Sequence, residues 1–182
     1  MSRTDNTDMA TYGSEAHVAL PSQFLTFMLA DEQYAVGILH IKEIIEYGSL
    51  ATVPMMPDCV RGVINLRGAV VPVMDLSARF GRGQSIIGKR SCIVIVEACG
   101  EDGANKQVLG MLVDAVNAVV EITAGDIEPA PSFGTRIRPD FIAGMGKLTD
   151  KNSGRFVILL DIERVLSSEE IVDMARGAVA AA

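Results

Sequence analysis

Few residues in this chain could carry chemistry, and most of those lack a second group to work with. The run Gly83-Gln84-Ser85-Ile86-Ile87-Gly88-Lys89 matches most of a phosphate-binding loop, G-x-x-x-x-G-K. Such a loop needs Ser or Thr next, to hold magnesium, and it follows a strand and opens a helix. Here Arg90 comes next, a helical turn is expected before the run, and a strand is expected after it. The two histidines, His17 and His40, have no Cys or His at metal-ligand spacing, so no metal site is expected. There is no G-x-S-x-G nucleophile elbow. Asp75, Asp114 and Asp161 each follow an apolar strand with no second titratable group paired to them, so they read as turn or cap residues rather than general acids. The expectation is a protein that is not an enzyme and carries no cofactor.

What remains is interaction surface. In the segment Gly62–Leu76, GVINLRGAVVPVMDL, Arg67 is the one basic residue of a largely apolar run, with Gly68 straight after it. Residues 63–66 and 69–74 are rich in Val and Ile and too short for two helices, so they read as buried strands. The Arg-Gly pair between them reads as a tight turn, because glycine tolerates the positive φ that turns need. Arg is almost never fully buried without a partner. The turn therefore presents one guanidinium on a rigid support with apolar surface on either side.

The elements around that turn are mostly short strands, expected at 23–30, 33–38, 50–54, 60–66, 69–75, 91–98, 107–121 (two strands, or one with a bend), 141–148 and 155–161. Gly, Pro, Asp and Asn separate them, and their length and spacing suggest barrels or a sandwich. Helical signals are fewer. Ile41, Ile44 and Ile45 are spaced for one face of a short helix carrying Lys42, Glu43 and Glu46, and residues 76–81 add a helical turn. Ser167 followed by Glu170 makes a capping box, and Ile171, Met174 and Ala175 continue an apolar stripe. Residues 1–22 are polar and without periodicity, and read as a disordered tail. The basic, glycine-rich stretch 79–90 is the expected subdomain junction.

Composition narrows the class. The 182 residues are 49% hydrophobic but only 5% aromatic, so Val, Ile, Leu and Met must fill the core, with the nine methionines read mainly as gap-fillers. The net charge of −7 argues against nucleic acid, which needs a basic footprint. No uncharged apolar stretch approaches the roughly 18–20 residues that span a bilayer, and the N-terminus has no apolar signal region. Three cysteines with no C-x-x-C fit reduced thiols in a cytoplasmic protein.

The same segment, GVINLRGAVVPVMDL, resembles the signature of the CheW family, the adaptors of bacterial chemotaxis arrays. The likeness runs in order over residues 23–172, through QFLTFMLADEQYAVGI, IKEIIEY, TVPMMPDCVRG, RSCIVIVE, VLGMLVDAVNAVVEI, FIAGMGKL and RFVILLDIERVLSSEE. It implies an all-β fold of two intertwined five-stranded SH3-like barrels, an apolar seam between them and a short C-terminal helix, fraying over 173–182. It implies an adaptor that joins the regulatory domain of the histidine kinase CheA to the cytoplasmic tips of methyl-accepting receptors. It carries Glu43 and the Arg67-Gly68 turn over as coupling residues, exposed and near one another. It further implies a receptor groove along the seam, with Val36, Ile38, Ile41, Ile44 and the strand Val108–Val113 as its candidate lining. Two other readings are a CheW-like adaptor in a non-motility chemosensory pathway and a small-molecule-binding barrel sensor, which would need a closed, polar-lined cavity. Calorimetry with ATP and magnesium is expected to show only heat of dilution; a micromolar signal dependent on Lys89 would revive the phosphate-loop reading.

Overall fold

The computed structural model describes residues 22–99, 106–131, 137–150 and 153–166. Among the described residues eleven strands form two sheets. The chain begins with an antiparallel hairpin, β1 (Ser22–Leu29) and β2 (Glu32–Gly37), and then leaves that sheet through a 3₁₀ turn at Ile38–His40. It builds a second sheet from β3 (Ile41–Glu46), β4 (Val60–Leu66), β5 (Ala69–Asp75), β6 (Cys92–Cys99) and β7 (Lys106–Val113), with a short helix α1 (Leu76–Arg79) after β5. At Asp114 it returns to the first sheet with β8 (Ala115–Ile122), β9 (Ile127–Glu128), β10 (Ile142–Asp150) and β11 (Ser153–Leu160), and α2 (Ile162–Leu166) follows. The strand orders are β8-β1-β2-β11-β10-β9 and β3-β6-β7-β5-β4. The two-unit all-β expectation holds, with the two-residue β9 as a sixth strand in one sheet.

Three apolar clusters explain the arrangement. Ala35, Ile122, Val157 and Leu159 pack inside the six-stranded sheet, and Val71, Val73, Ile93, Ile95 and Leu112 inside the five-stranded one. The largest cluster lies between the sheets and draws on both, with Phe27, Tyr34 and Val36 from one side and Met74, Val94, Val96 and Met111 from the other. An aromatic series crosses this seam: Phe27, Tyr34, Phe80 and Phe141 have successive ring centroids 6.1, 5.8 and 5.7 Å apart. The guanidinium of Arg79 lies 4.9 Å from the Phe141 ring and that of Arg138 lies 5.1 Å from it. The buried Tyr34 hydroxyl donates to Glu32 (2.7 Å), which also pairs with Arg82 (2.8 Å). Burial first, and the Glu32 carboxylate second, push the Tyr34 phenol far above its ordinary value.

Several elements differ from the sequence reading. The segment 41–46 is a strand and not a helix. Ile41, Ile44 and Ile45 fit a helical face, but they are also β-branched, and pairing with β6 decides the matter. Residues 50–54 contribute a single bridge, Ala51 to Val63, because Pro54 lacks an amide donor and Met55 turns with φ of 62°. The stretch 79–90 joins β5 to β6 within one sheet and is no junction; the crossings are at 38–40 and at Asp114. Glycine and charge there mark an exposed loop, not a boundary. The break at Asp114 does make two strands of 107–121. The tail before Ser22 and the capping box at Ser167 and Glu170 lie outside the described residues.

Asp75 and Asp161 are cap residues, and Asp114 sits at the bend between β7 and β8 and ties it to the β1–β2 turn. Asp114 accepts from the Ala30 amide and Asp161 from the Arg164 amide. Asp75 is fully buried; it caps α1 through the Ser77 and Ala78 amides, and it takes both the amide and the hydroxyl of Ser85 at 2.7 Å. Arg61 lies 3.8 Å from it and donates to the Gln84 side chain and the Ser85 carbonyl.

Among the described glycines, a Cβ added at Gly62 would come closest to another atom. The φ of Gly62 is 154°, and a Cβ there would stand 2.6 Å from the Ala51 carbonyl oxygen. Gly62→Ala is expected to cost about 1–3 kcal/mol through strain and the lost bridge, read as a lower urea midpoint at constant m-value. An unchanged midpoint would remove Gly62 from the account of this sheet.

Candidate functional site

The β4–β5 turn is built to hold one arginine still. Both of its central residues have positive φ, 52° at Arg67 and 88° at Gly68, as a two-residue hairpin turn matched to strand twist requires. Asn65 Oδ1 accepts from the Gly68 amide at 2.9 Å, which fixes the turn from within. Glycine takes the second position at no steric cost, but the first is held by a residue with a Cβ, at a cost of roughly 1–2 kcal/mol.

Across a groove from this turn lies β3. A bulge between Ile41 and Glu43 shifts its register on β6, so that Glu43 stands opposite Ile95 and faces the same way as that buried residue. Arg67 Nη2 reaches Glu43 Oε2 at 2.8 Å. The Arg67 side chain is 79% exposed and that of Glu43 only 24%. Glu43 Oε1 is buried and accepts no hydrogen bond. The pair thus bridges the edge of β3 and the tip of the β4–β5 hairpin, with the arginine outward and the carboxylate inward.

Beneath the pair the groove has an apolar floor of Leu66, Val71, Ile95 and Val108, and its volume is about 1110 Å³. Its other rim is charged. Glu97 pairs with Lys42 at 2.9 Å and Lys106 at 3.2 Å. The Lys42 hydrogen bond, then that of Lys106, holds the Glu97 carboxyl below its ordinary range. Leu39, which also lines the groove, is almost wholly exposed. An open, apolar-floored groove with charged rims is the reverse of a closed polar cavity. Among the described residues no group of three or more His, Cys, Asp and Glu could hold a metal, and no helix is long and apolar enough to cross a membrane.

Of the residues singled out from the sequence, Glu43, Arg67, Ile41 and Val108 line this groove together, and Gly68 completes its turn. Val36 does not belong to any surface: it is fully buried in the seam core. The strand Leu109–Val113 is buried as well. Ile38 lies in the 3₁₀ turn outside the groove lining, and Ile44, on the face of β3 opposite to Glu43, is 42% exposed. A helical reading of 41–46 put Ile41 and Ile44 on one face, and the bulge keeps them on one face of β3, opposite Val96 and Val94, but only Ile41 lines the groove. Leu66, Ile95 and the Lys42–Glu97–Lys106 rim were not foreseen. Strand alternation alone would have placed Lys42 and Glu43 on opposite faces, but the cross-sheet meeting of β6 and β7 lysine and glutamate has no local signal.

Glu97 supplies a check on this geometry. Its lowered value contributes stability above the ordinary carboxylate range, lost as pH falls through the lowered value. Lys42→Met is expected to raise the Glu97 titration midpoint toward the ordinary value, and by more than Lys106→Met does. Carboxyl-carbon NMR titration reads this directly; equal midpoints in all three proteins would contradict the rim.

Comparison with known proteins follows the same outline. A family model described as the CheW-like domain matches residues 23–170. The chemotaxis protein CheW of Klebsiella aerogenes is 36% identical over 163 residues, covering 90% of this chain and 92% of that protein. The chemotaxis protein CheW of Rhizobium meliloti is 31% identical, covering 81% and 89%. Among solved structures, the scaffolding protein TtCheW from Thermoanaerobacter tengcongensis superposes with a TM-score of 0.71 at 33% identity, covering 85% of this chain and 94% of that one.

Proposed function

The chain belongs to the CheW-like domain family, and from that premise we propose that it is a non-catalytic, cytoplasmic adaptor that couples a CheA-type histidine kinase to the tips of methyl-accepting receptors. The observation that carries this reading is the Glu43–Arg67 bridge over an apolar floor. A guanidinium in a left-handed turn and an apolar floor beside it suit a protein surface. Interfaces of this kind use a few buried apolar anchors and a polar rim, with arginine enriched among the residues that matter most. The groove offers both within one small area. The role is positional: an adaptor that favours one state of a kinase delivers a coupling free energy, not turnover.

The kinase regulatory domain or the receptor tip would meet the floor at Leu66, Ile95 and Val108, with Arg67 beside it. A helical receptor tip would use anchors at i, i+3, i+4 and i+7. Ile44, on the outer face of β3, and Ile38 belong to a neighbouring surface that the second partner would share.

Arg67→Glu sets two carboxylates against each other and is expected to abolish most receptor-dependent kinase activation in a reconstituted assay, while the melting temperature moves by a few degrees at most. Arg67→Gly removes the side chain and relieves the positive φ, so it is expected to be at least as stable as the parent and still impaired in coupling. A folded Arg67→Gly protein with full kinase activation would overturn this reading of the turn.

A further inference from the structure

The charged rim of the groove carries more positive charge than negative. Glu97 and Val108 stand opposite one another on β6 and β7, as do Cys99 and Lys106. With alternation along each strand, Ile95, Glu97, Lys106 and Val108 therefore share one face of the sheet, and all four line the groove. Glu97 pairs with Lys42 and with Lys106. Among the described residues this rim sets one carboxylate against two ammonium groups, whereas Glu43 and Arg67 are matched one to one. The Lys42 side chain is 49% exposed and that of Lys106 71%, and each ammonium has three hydrogen-bond donors. This local excess stands on a chain of net charge −7, against the trend of the molecule.

We propose that the receptor helix that fills this groove bears an Asp or Glu three or four residues from the apolar side chain it seats on Val108, and that this carboxylate is taken by Lys42 and Lys106. The proposal rests on the reading of the groove as a receptor site, and it names the chemistry that the receptor must bring. Two observations support a helix with that spacing. The first is the kind of strand that carries floor and rim. β6 lies between β3 and β7, and β7 between β6 and β5, so neither has a free edge. They present side chains and no backbone groups, which suits the face of a helix and not an added strand. The second is distance. Residues two apart on a strand, as Lys106 and Val108 are, stand about 7 Å apart, and one turn of a helix rises about 5.4 Å. A helix lying along β7 with an apolar residue on Val108 therefore brings a residue one turn away over Lys106. With a carboxylate there, two ammonium and two carboxylate groups stand together and the rim is neutral once covered. A helix with the same apolar stripe but Lys or Arg at that position would add a third cation to the rim, so the rim discriminates where the floor does not.

The test titrates the full chain with the tip hairpin of a methyl-accepting receptor, at low and at high salt. Lys106→Glu is expected to weaken binding about tenfold at low salt and much less at high salt, as a rim charge does. Lys106→Met, which removes the charge without reversing it, is expected to show a smaller loss of the same salt dependence. Each Asp and Glu of the hairpin is then changed to Lys in turn. One of these changes is expected to weaken binding to the parent chain and to be rescued by Lys106→Glu, but not by Arg67→Glu. Folding of each variant is read from its melting temperature, and rescue across the interface is not a result that a disturbed fold could give. Parent affinity in Lys106→Glu and Lys42→Glu, with Arg67→Glu still impaired, would overturn the proposal and leave the reading of the Arg67 turn standing. A loss in Lys106→Glu that no hairpin change rescues would also overturn it. A parent chain that does not bind the hairpin at all would overturn both.

Discussion

Both sheets depend on one shared apolar layer. The chain leaves the first sheet after two strands, builds the whole of the second, and returns to finish the first. Tyr34 in β2 is paired with Ile158 in β11, and Val73 in β5 with Gly110 in β7, both in parallel register. Such pairings need long crossovers and carry the entropy of long loop closure before any contact repays it. What repays it is the seam, where Phe27, Tyr34, Val94 and Met111 are all without solvent exposure. Fully burying a large apolar side chain is worth about 1.5–3 kcal/mol, so the four together outweigh any exposed ion pair in the molecule. Neither sheet can be loosened without opening this layer, and the two act as one body.

Within that body the buried Asp75 carboxylate fixes how the chain turns from β5 into the linker. A fully buried carboxylate is costly unless its lone pairs are taken up. Here Ser77, Ala78 and Ser85 supply the donors, and the Arg61 guanidinium lies nearby. One group thus ends a strand, starts a helix and pins the far end of a glycine-containing loop. The two ends of the second sheet are rigid for different reasons: backbone turn geometry at Arg67, and buried hydrogen bonding at Asp75.

Legibility in the sequence followed the range of the interaction. The hairpin of β4 and β5 was readable, because Val and Ile runs flank a glycine-bearing dipeptide. Asp75 and Asp161 were readable as caps, because capping is a matter of a few residues, whereas the bond from the Ala30 amide to Asp114 joins residues 84 apart in sequence and has no local signal. The strand at 41–46 was not readable, because isoleucines at 41, 44 and 45 fit the i, i+3, i+4 spacing of a helix and not strict alternation, and pairing with β6 through a bulge overrides that pattern. The linker 79–90 was mistaken for a junction because composition reports exposure, not topology. For the site, Arg67 was readable from its glycine-bearing turn between two apolar strands, while Glu43 came from family likeness and not from periodicity. The floor residue Ile95 and the rim residue Glu97 were hidden because β6 reaches them from more than forty residues away in sequence. Val36 was misplaced for a related reason: alternation marks it as apolar but does not say which of two apolar surfaces, seam or groove, it joins.

The energetics of the Arg67 turn separate function from folding. A non-glycine residue in the left-handed region costs roughly 1–2 kcal/mol, and an exposed ion pair returns about 0–1 kcal/mol. Arg67, 79% exposed, is therefore neutral or mildly costly to the free protein. The Glu43 carboxylate has one oxygen buried without a partner, which adds to the cost. A fold selected for stability alone would place glycine at 67 and an apolar residue at 43. Strain kept where the surrounding structure over-determines it, beside an open apolar groove, is what a surface prepared for a partner requires. On the proposed reading the cost is met in the free protein, so that the guanidinium would already be in position when a partner covered the groove.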